Sequence, residues 1–187
     1  MTLDELREQA LRCRECGLCE GRTNVVFGTG DPHADIMFVG EGPGRNEDEQ
    51  GVPFVGAAGR LLNDLLTASG LSREEVYIAN IVKCRPPQNR DPLPEEEKAC
   101  IHFLEKQIEL VDPRIIVCLG RIAAKQLIDP DFAITRQRGQ IFERNGRRIM
   151  ATFHPAALLR NPANRLPTLC DFELLYRISR EGTDTDI

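Results

Sequence analysis

The sequence predicts an α/β protein: a three-layer α/β/α sandwich around a central, mostly parallel sheet of about four strands. Three observations lead there. Short apolar runs of strand type alternate along the chain with segments of helical period. One run, Arg114-Ile115-Ile116-Val117-Cys118-Leu119-Gly120, is almost continuously apolar, as expected of a strand buried on both faces. No repeat, low-complexity tract or linker divides the 187 residues, so residues 1–187 read as one domain, the cysteine-bearing N-terminal segment included.

The elements follow in order. Residues 34–39 (Ala-Asp-Ile-Met-Phe-Val) read as a first strand, closed by a Gly/Pro turn. Residues 57–69 read as a helix with Leu61, Leu62, Leu65 and Leu66 on one face, ended by Gly70. Residues 76–82 form a second strand. Pro94 and Glu95, Glu96 and Glu97 open a second helix: proline suits its first turn, and acids suit the positive end of its dipole. It runs to about residue 110, with Ile101, Leu104 and Ile108 inward. Residues 114–120 are the third strand, and residues 121–128 a short helix. Residues 140–143 and 147–152 flank Asn145-Gly146, a strong hairpin signal. Residues 171–179 close as a helix. Residues 181–187 are polar and expected to fray.

Composition narrows the class. Hydrophobic residues at 41% and charged residues at 28% exclude a disordered or fibrous chain. No apolar run approaches the roughly 18–20 residues that span a bilayer. The start, Met1-Thr2-Leu3-Asp4-Glu5, lacks the basic and apolar regions of a signal peptide. The expectation is a soluble, cytoplasmic protein. Net charge is −5, yet residues 114–165 carry 10 basic and 3 acidic side chains, net +7. An acidic protein whose cations gather on one face can still bind phosphate.

In parallel sheets, ligands bind beyond the carboxyl ends of the strands, and unusual polar segments stand at three such ends. After the first comes Gly40-Glu41-Gly42-Pro43-Gly44-Arg45-Asn46-Glu47-Asp48, a turn with bare backbone. It is neither a Walker A loop nor a dinucleotide fingerprint. Pro53-Phe54-Val55-Gly56 follows, with Phe54 either core or a stacking platform for a base. In the second strand sits Asn80, a poor strand residue whose amide both donates and accepts hydrogen bonds. After the last strand comes Phe153-His154-Pro155-Ala156-Ala157-Leu158-Leu159-Arg160: His154 at a strand end, then apolar and basic residues suited to a DNA wedge.

Seven cysteines are an odd number, and a reducing compartment disfavours disulfides. Cys13 and Cys16 form C-x2-C; Cys84 and Cys100 form C-x15-C. Thiolates so spaced chelate zinc or an iron–sulfur cluster, and spacing alone chooses neither the metal nor the ligands. Cys13, Cys16 and Cys19 also read as a ferredoxin-like run. Cys118 and Cys170 read as core filler.

Taken together, these motifs resemble the uracil-DNA glycosylase superfamily, and most closely its type 4 members, which carry an iron–sulfur cluster. The resemblance covers residues 13–160 and the final helix, through Gly40–Asp48, Gly51-Val52-Pro53-Phe54-Val55-Gly56, Asn80-Ile81-Val82-Lys83-Cys84-Arg85-Pro86-Pro87 and His154–Arg160. It implies an enzyme that flips deoxyuridine out of DNA and hydrolyses its glycosidic bond. By that resemblance Glu41, Asn80 and His154 are catalytic. Gly40, Gly42, Glu47, Phe54, Asn80 and His154 bind substrate. Lys83, Arg85, Leu158 and Arg160 meet DNA, with Arg90 beside them. A [4Fe–4S] cluster sits on Cys13, Cys16, Cys84 and Cys100, leaving Cys19 spare.

Phe54 would stack on uracil, Asn80 read its N3–H/O4 edge, and His154 bind O2 as charge gathers there. Type 4 members usually have alanine at Gly42. The best-known branch has an Asp there and a Tyr at the slot of Gly44; here Glu41 or Asn80 would hold the water, or the backbone mainly would, and Glu47 would guard against the thymine methyl. A branch that traps uracil covalently uses a histidine in a loop whose counterpart, residues 85–95, has none, so turnover is expected. The expected product is an abasic site, the partner uracil-containing DNA, and the protein a monomer. Two rivals are an iron–sulfur electron carrier and a non-catalytic binder of uracil-containing or single-stranded DNA.

Overall fold

The computed structural model describes residues 1–181. Its elements are α1 (Leu3–Leu11), α2 (Leu18–Gly21), β1 (Thr29–Gly30), β2 (Ile36–Gly40), α3 (Arg45–Gln50), α4 (Ala57–Ala68), β3 (Val76–Asn80), α5 (Pro94–Val111), β4 (Ile115–Leu119), α6 (Arg121–Leu127), α7 (Ile134–Gln137), β5 (Phe142–Arg144), β6 (Arg147–Thr152), α8 (Pro155–Arg160) and α9 (Arg165–Arg180).

One six-stranded sheet runs in the order β1-β3-β2-β4-β6-β5. The four inner strands are mutually parallel, and the short outer strands pair antiparallel. The expected four strands are therefore the parallel core, and the sheet is wider by two edges. β5 belongs to the Asn145-Gly146 hairpin, with Asn145 at φ 51° and Gly146 at φ 76°, as a two-residue turn requires. β1 has two residues, too few for an alternating pattern to announce.

Side chains alternate across the sheet. Met37, Val39, Tyr77, Ala79, Ile116, Cys118, Ile149 and Ala151 face one apolar cluster with α1, α5 and α6. Ile36, Phe38, Val76, Ile78, Ile115, Val117 and Met150 face the other, with α4 and α9. Helices thus cover both faces, which gives the three layers. The N-terminal segment joins the first cluster through Leu6, Ala10 and Leu18. α1 is closed by a capping box: Glu5 N–H donates to Thr2 Oγ1 at 3.2 Å and Thr2 N–H to Glu5 Oε2 at 2.8 Å.

Several local expectations shift. α9 starts at Arg165, six residues before the expected start. Residues 45–50 form a helix rather than loop. On α4, Leu62, Leu65 and Leu66 are buried and Leu61 only partly. On α5, Leu104 is buried, but Cys100, Phe103, Gln107 and Val111 share its face, while Ile101 and Ile108 lie at its margin. Cys118 is core, as expected; Cys170 is exposed, not core filler. Of the residues expected to fray, 182–187 lie outside the described residues. Among the described residues no helix is long and apolar enough to cross a membrane.

The chain passes from β2 outward to β3, then returns across β2 to β4 and on to β6. Consecutive connections therefore leave β2 and β4 in opposite directions. That switch leaves a crevice at their carboxyl ends.

Candidate active site

The crevice has a volume of about 650 Å³. Glu41, Asn80, Gly120 and His154 reach it from the ends of β2, β3, β4 and β6, and Phe54 from the loop before α4.

Asn80 ends β3 and is 2% exposed. Its Oδ1 is buried with no hydrogen-bond partner. Such an orphan costs about 1–3 kcal/mol and calls for an explanation. Gly40 is its register partner across the ladder. A Cβ on Gly40 would meet Asn80 Oδ1 at 2.5 Å and Phe54 Cζ at 2.8 Å. Glycine is therefore what lets the amide and the ring converge.

Phe54 holds φ 52°, a left-handed backbone that a non-glycine residue adopts only under constraint. The constraint comes from two sides. Arg73 donates to the Phe54 carbonyl at 2.8 Å and the Pro53 carbonyl at 2.5 Å. Glu47 Oε1 accepts from the Val55 and Gly56 N–H groups at 3.1 and 3.2 Å. Glu47 thus lines the crevice while anchoring the Phe54 loop at the start of α4. The Phe54 ring lies 5.4 Å from the His154 ring, tilted by 31°.

His154 caps α8: its Nδ1 accepts the Ala156 N–H at 3.1 Å. That bond places the ring proton on Nε2. Burial, with Arg160 nearby, pushes its pKa down to about 4, and Glu47 opposes this weakly. The imidazole is neutral at pH 7, with one N–H donor free of the cap. Gly120, at φ 92°, passes beneath: a Cβ there would meet His154 Cβ at 3.0 Å.

Glu41 leaves the end of β2 into the crevice. Burial first, then the neighbouring Asp91 carboxylate, raise its pKa to about 7; Arg121 opposes and Glu97 adds to the rise. Asp91 is held below its usual range by Arg121, 2.5 Å away. Glu41 and Asp91 share a hydrogen bond, so the two carboxyls titrate as a pair. Gly42 packs on Val82, and a Cβ there would meet Val82 Cγ2 at 2.7 Å.

The expected DNA contacts divide. Lys83 is not on the surface: it is 2% exposed, with its ammonium turned inward, so it meets no phosphate. Leu158 is fully buried because α8 turns it into the core beneath α4; Leu159, 42% exposed, is the apolar residue presented outward. Arg160 is exposed and lines the crevice rim. Arg85 is partly exposed and donates to Asn89 Oδ1 at 2.7 Å, so its charge is unpaired by that bond. Arg90 is engaged by Glu96 through both nitrogens, at 2.9 and 2.8 Å.

The four expected cysteine ligands line one small pocket with Cys19 and Arg22. Lys83 N–H donates to Cys100 Sγ at 3.3 Å, and Arg22 to Cys84 Sγ at 3.4 Å. Arg22 also donates to the Cys13 carbonyl at 2.7 Å. Burial raises the Cys16, Cys84 and Cys100 thiols, the last to about 11.

Sequence reasoning missed Arg73, Asp91, Gly120 and Arg121. All four act through neighbours far along the chain, and no local pattern marks them.

An orphaned amide, an aromatic ring and a neutral imidazole thus stand around a glycine floor in one crevice at the carboxyl ends of the strands. The family model of the uracil DNA glycosylase superfamily matches residues 27–174, and the chain belongs to that superfamily. A type-4 uracil-DNA glycosylase of Archaeoglobus fulgidus is 47% identical over 180 residues, 92% of this chain and 90% of the relative. One of Thermotoga maritima is 49% identical over 166 residues, 88% and 86%. A type-5 uracil-DNA glycosylase of Thermus thermophilus is 38% identical over 118 residues, 55% and 53%.

Proposed function

We propose that this chain removes uracil from DNA by hydrolysing the N-glycosidic bond of a flipped deoxyuridine, leaving an abasic site. The observation that carries this is the buried, unpartnered Oδ1 of Asn80 beside Phe54 and His154. Uracil supplies what the amide lacks: its N3–H donates to Oδ1 while O4 accepts from Nδ2. Cytosine reverses both roles and would leave two buried groups unpaired.

Phe54 stacks on the ring. His154 donates its Nε2–H to O2, where negative charge grows as the bond breaks. The donor is neutral, so it stabilises the uracil anion by a hydrogen bond rather than by an ion pair. Glu41 orients the attacking water, and its charge favours the oxocarbenium-like sugar. Glu47 fixes the Phe54 loop and closes the edge where a thymine methyl would sit. Arg85 and Arg160 contact phosphates, and Leu159 enters the space the base vacates.

Cys13, Cys16, Cys84 and Cys100 would hold a [4Fe–4S] cluster. Their donor set fits: four thiols converge on one pocket, with hydrogen-bond donors on two sulfurs. Thiolates at these spacings suit zinc as well as a cluster, and the likeness to the type-4 relatives supports the cluster. Its chemistry here is structural: it fastens the N-terminal segment to the loop carrying Arg85. The crevice is complete within one chain, which supports a monomer, and cysteines without disulfides suit the cytoplasm.

The test is base release from a labelled oligonucleotide with one uracil, followed by alkali, using anaerobically purified protein. Cleavage that requires both uracil and His154 is expected. Tight uracil-DNA binding without release would replace the reading with a non-catalytic binder.

A further inference from the structure

Lys83 is a buried ammonium whose hydrogen-bond partners are neutral. Its Nζ donates to the Asn80 main-chain carbonyl at 2.9 Å and to Gln107 Oε1 at 2.5 Å. Gln107, itself fully buried, spends its Nε2 on the Phe27 carbonyl at 2.8 Å and the Tyr77 hydroxyl at 3.1 Å. Burying an ammonium costs several kcal/mol, and an apolar side chain of similar volume would fill the space without that penalty. The Phe27 ring, 5.9 Å from Nζ, and the nearby Cys84 and Cys100 sulfurs offset only part of that cost.

The connections of Lys83 account for a lysine at this place. The Asn80 side chain has no hydrogen bond to orient Oδ1. The amide is aimed only by packing on Gly40 and Phe54 and by its own main chain. On one side that main chain is held by the ladder, where Ile81 N–H donates to the Gly40 carbonyl at 2.9 Å. On the other, the Asn80 carbonyl is held by Lys83. Lys83 is in turn tied at its own N–H to Cys100 Sγ and at its carbonyl to Val26 N–H, at 2.7 Å. One residue thus spans from the cysteine pocket to the peptide that carries the base reader.

We propose that Lys83 is a positioning residue for uracil recognition: its ammonium locks the Asn80 carbonyl onto Gln107 and so holds the unpartnered Asn80 amide in register with the base. This rests on Asn80 reading uracil. Lys83 does not touch the base; it acts through Asn80.

The experiment is a double-mutant cycle on uracil release. Lys83→Met, Asn80→Ala, their combination and Gln107→Leu are compared, with iron content, absorbance of the cluster and Tm measured on each. Losing a hydrogen bond from a charged group at the reader should lower kcat/KM by about tenfold or more. Most of the loss is expected in KM, with uracil-over-cytosine discrimination falling too. In the Asn80→Ala background Lys83→Met should then lose little further. An equal factor in both backgrounds, or unchanged kcat/KM for Lys83→Met, overturns the proposal. Should Lys83→Met fail to retain iron, Gln107→Leu decides by the same criteria, since it removes the ammonium's second anchor two turns of α5 away from Cys100 and keeps Lys83 N–H on the Cys100 sulfur. Wild-type rates in Asn80→Ala would instead sink the reading of Asn80 itself, a separate result.

Discussion

Gly40 and Asn80 face each other across the last rung of the β2–β3 ladder, and a single added carbon on Gly40 would fall 2.5 Å from Asn80 Oδ1. The same carbon would touch the Phe54 ring at 2.8 Å. At Gly40 the crevice is therefore floored by a hydrogen atom.

Gly40→Ala should cripple uracil release while leaving the sheet formed. Displacing the amide and the ring by an amount approaching ~1 Å is expected to lose up to about 100-fold in kcat/KM. Circular dichroism and Tm check the fold beside base-release rates. A Gly40→Ala enzyme with wild-type kcat/KM would remove this geometry from the mechanism.

The Glu41–Asp91 pair sets a pH dependence. In the proposed mechanism Glu41 orients water in its ionised form, and its pKa is raised to about 7 by burial and by Asp91. Activity should thus fall as pH drops through about 7. Glu97 and Arg121 also face the pair, with opposite signs. His154, neutral down to about pH 4, contributes nothing to that limb. Asp91→Asn removes a repelling charge and should move the limb to lower pH. Profiles of kcat/KM for wild type, Asp91→Asn and Glu41→Gln decide; an unmoved limb in Asp91→Asn refutes the coupling.

His154→Ala removes the donor proposed to meet O2, and loss of a single such donor typically lowers kcat by about 10²–10³-fold. His154 also caps α8, so a small Tm drop accompanies it. His154→Asn offers a test of the split: it can keep the cap while changing the donor's reach. Full activity in His154→Ala would reject the assignment.

Arg73 clamps the strained Phe54 turn through two carbonyls. Arg73→Met should release it, raising KM for uracil-DNA and destabilising the fold by about 1–3 kcal/mol. Denaturant midpoints and steady-state kinetics together check this. Unchanged KM would show that Phe54 is held by packing alone.

Removing a cluster ligand should unfasten the N-terminal segment. Cys84→Ser is expected to lose iron and visible absorbance and to lower Tm by about 5 °C or more. An iron-free Cys84→Ser protein of wild-type Tm would end the structural role given to the cluster.

Much of the fold was legible because its signals are local. The apolar run around Val117 marked a strand covered on both faces, and Asn145-Gly146 marked a hairpin by turn chemistry alone. The three polar strand ends identified Glu41, Asn80 and His154 as a group, and all three line one crevice. Where reading failed, the deciding contact was distant or depended on direction. Lys83 follows Val82 toward the surface by sequence, yet Gln107, 24 residues on, draws its ammonium inward. Leu158 and Leu159 are equivalent in composition, and only the phase of α8 buries the first and exposes the second.

The sequence by itself determined the strand and helix alternation, the end of the sheet where chemistry gathers, and which residue types are available there. Periodicity and turn chemistry act over a few residues, so they can be read along the chain. Tertiary structure alone decided protonation, orientation and exposure. Glu41 becomes a group titrating near neutrality only under burial and beside Asp91, His154 a neutral donor only under burial, and Asn80 an unpaired amide only across from Gly40. Those are properties of surroundings assembled from distant segments, where desolvation and neighbouring charge outweigh the intrinsic chemistry of each residue.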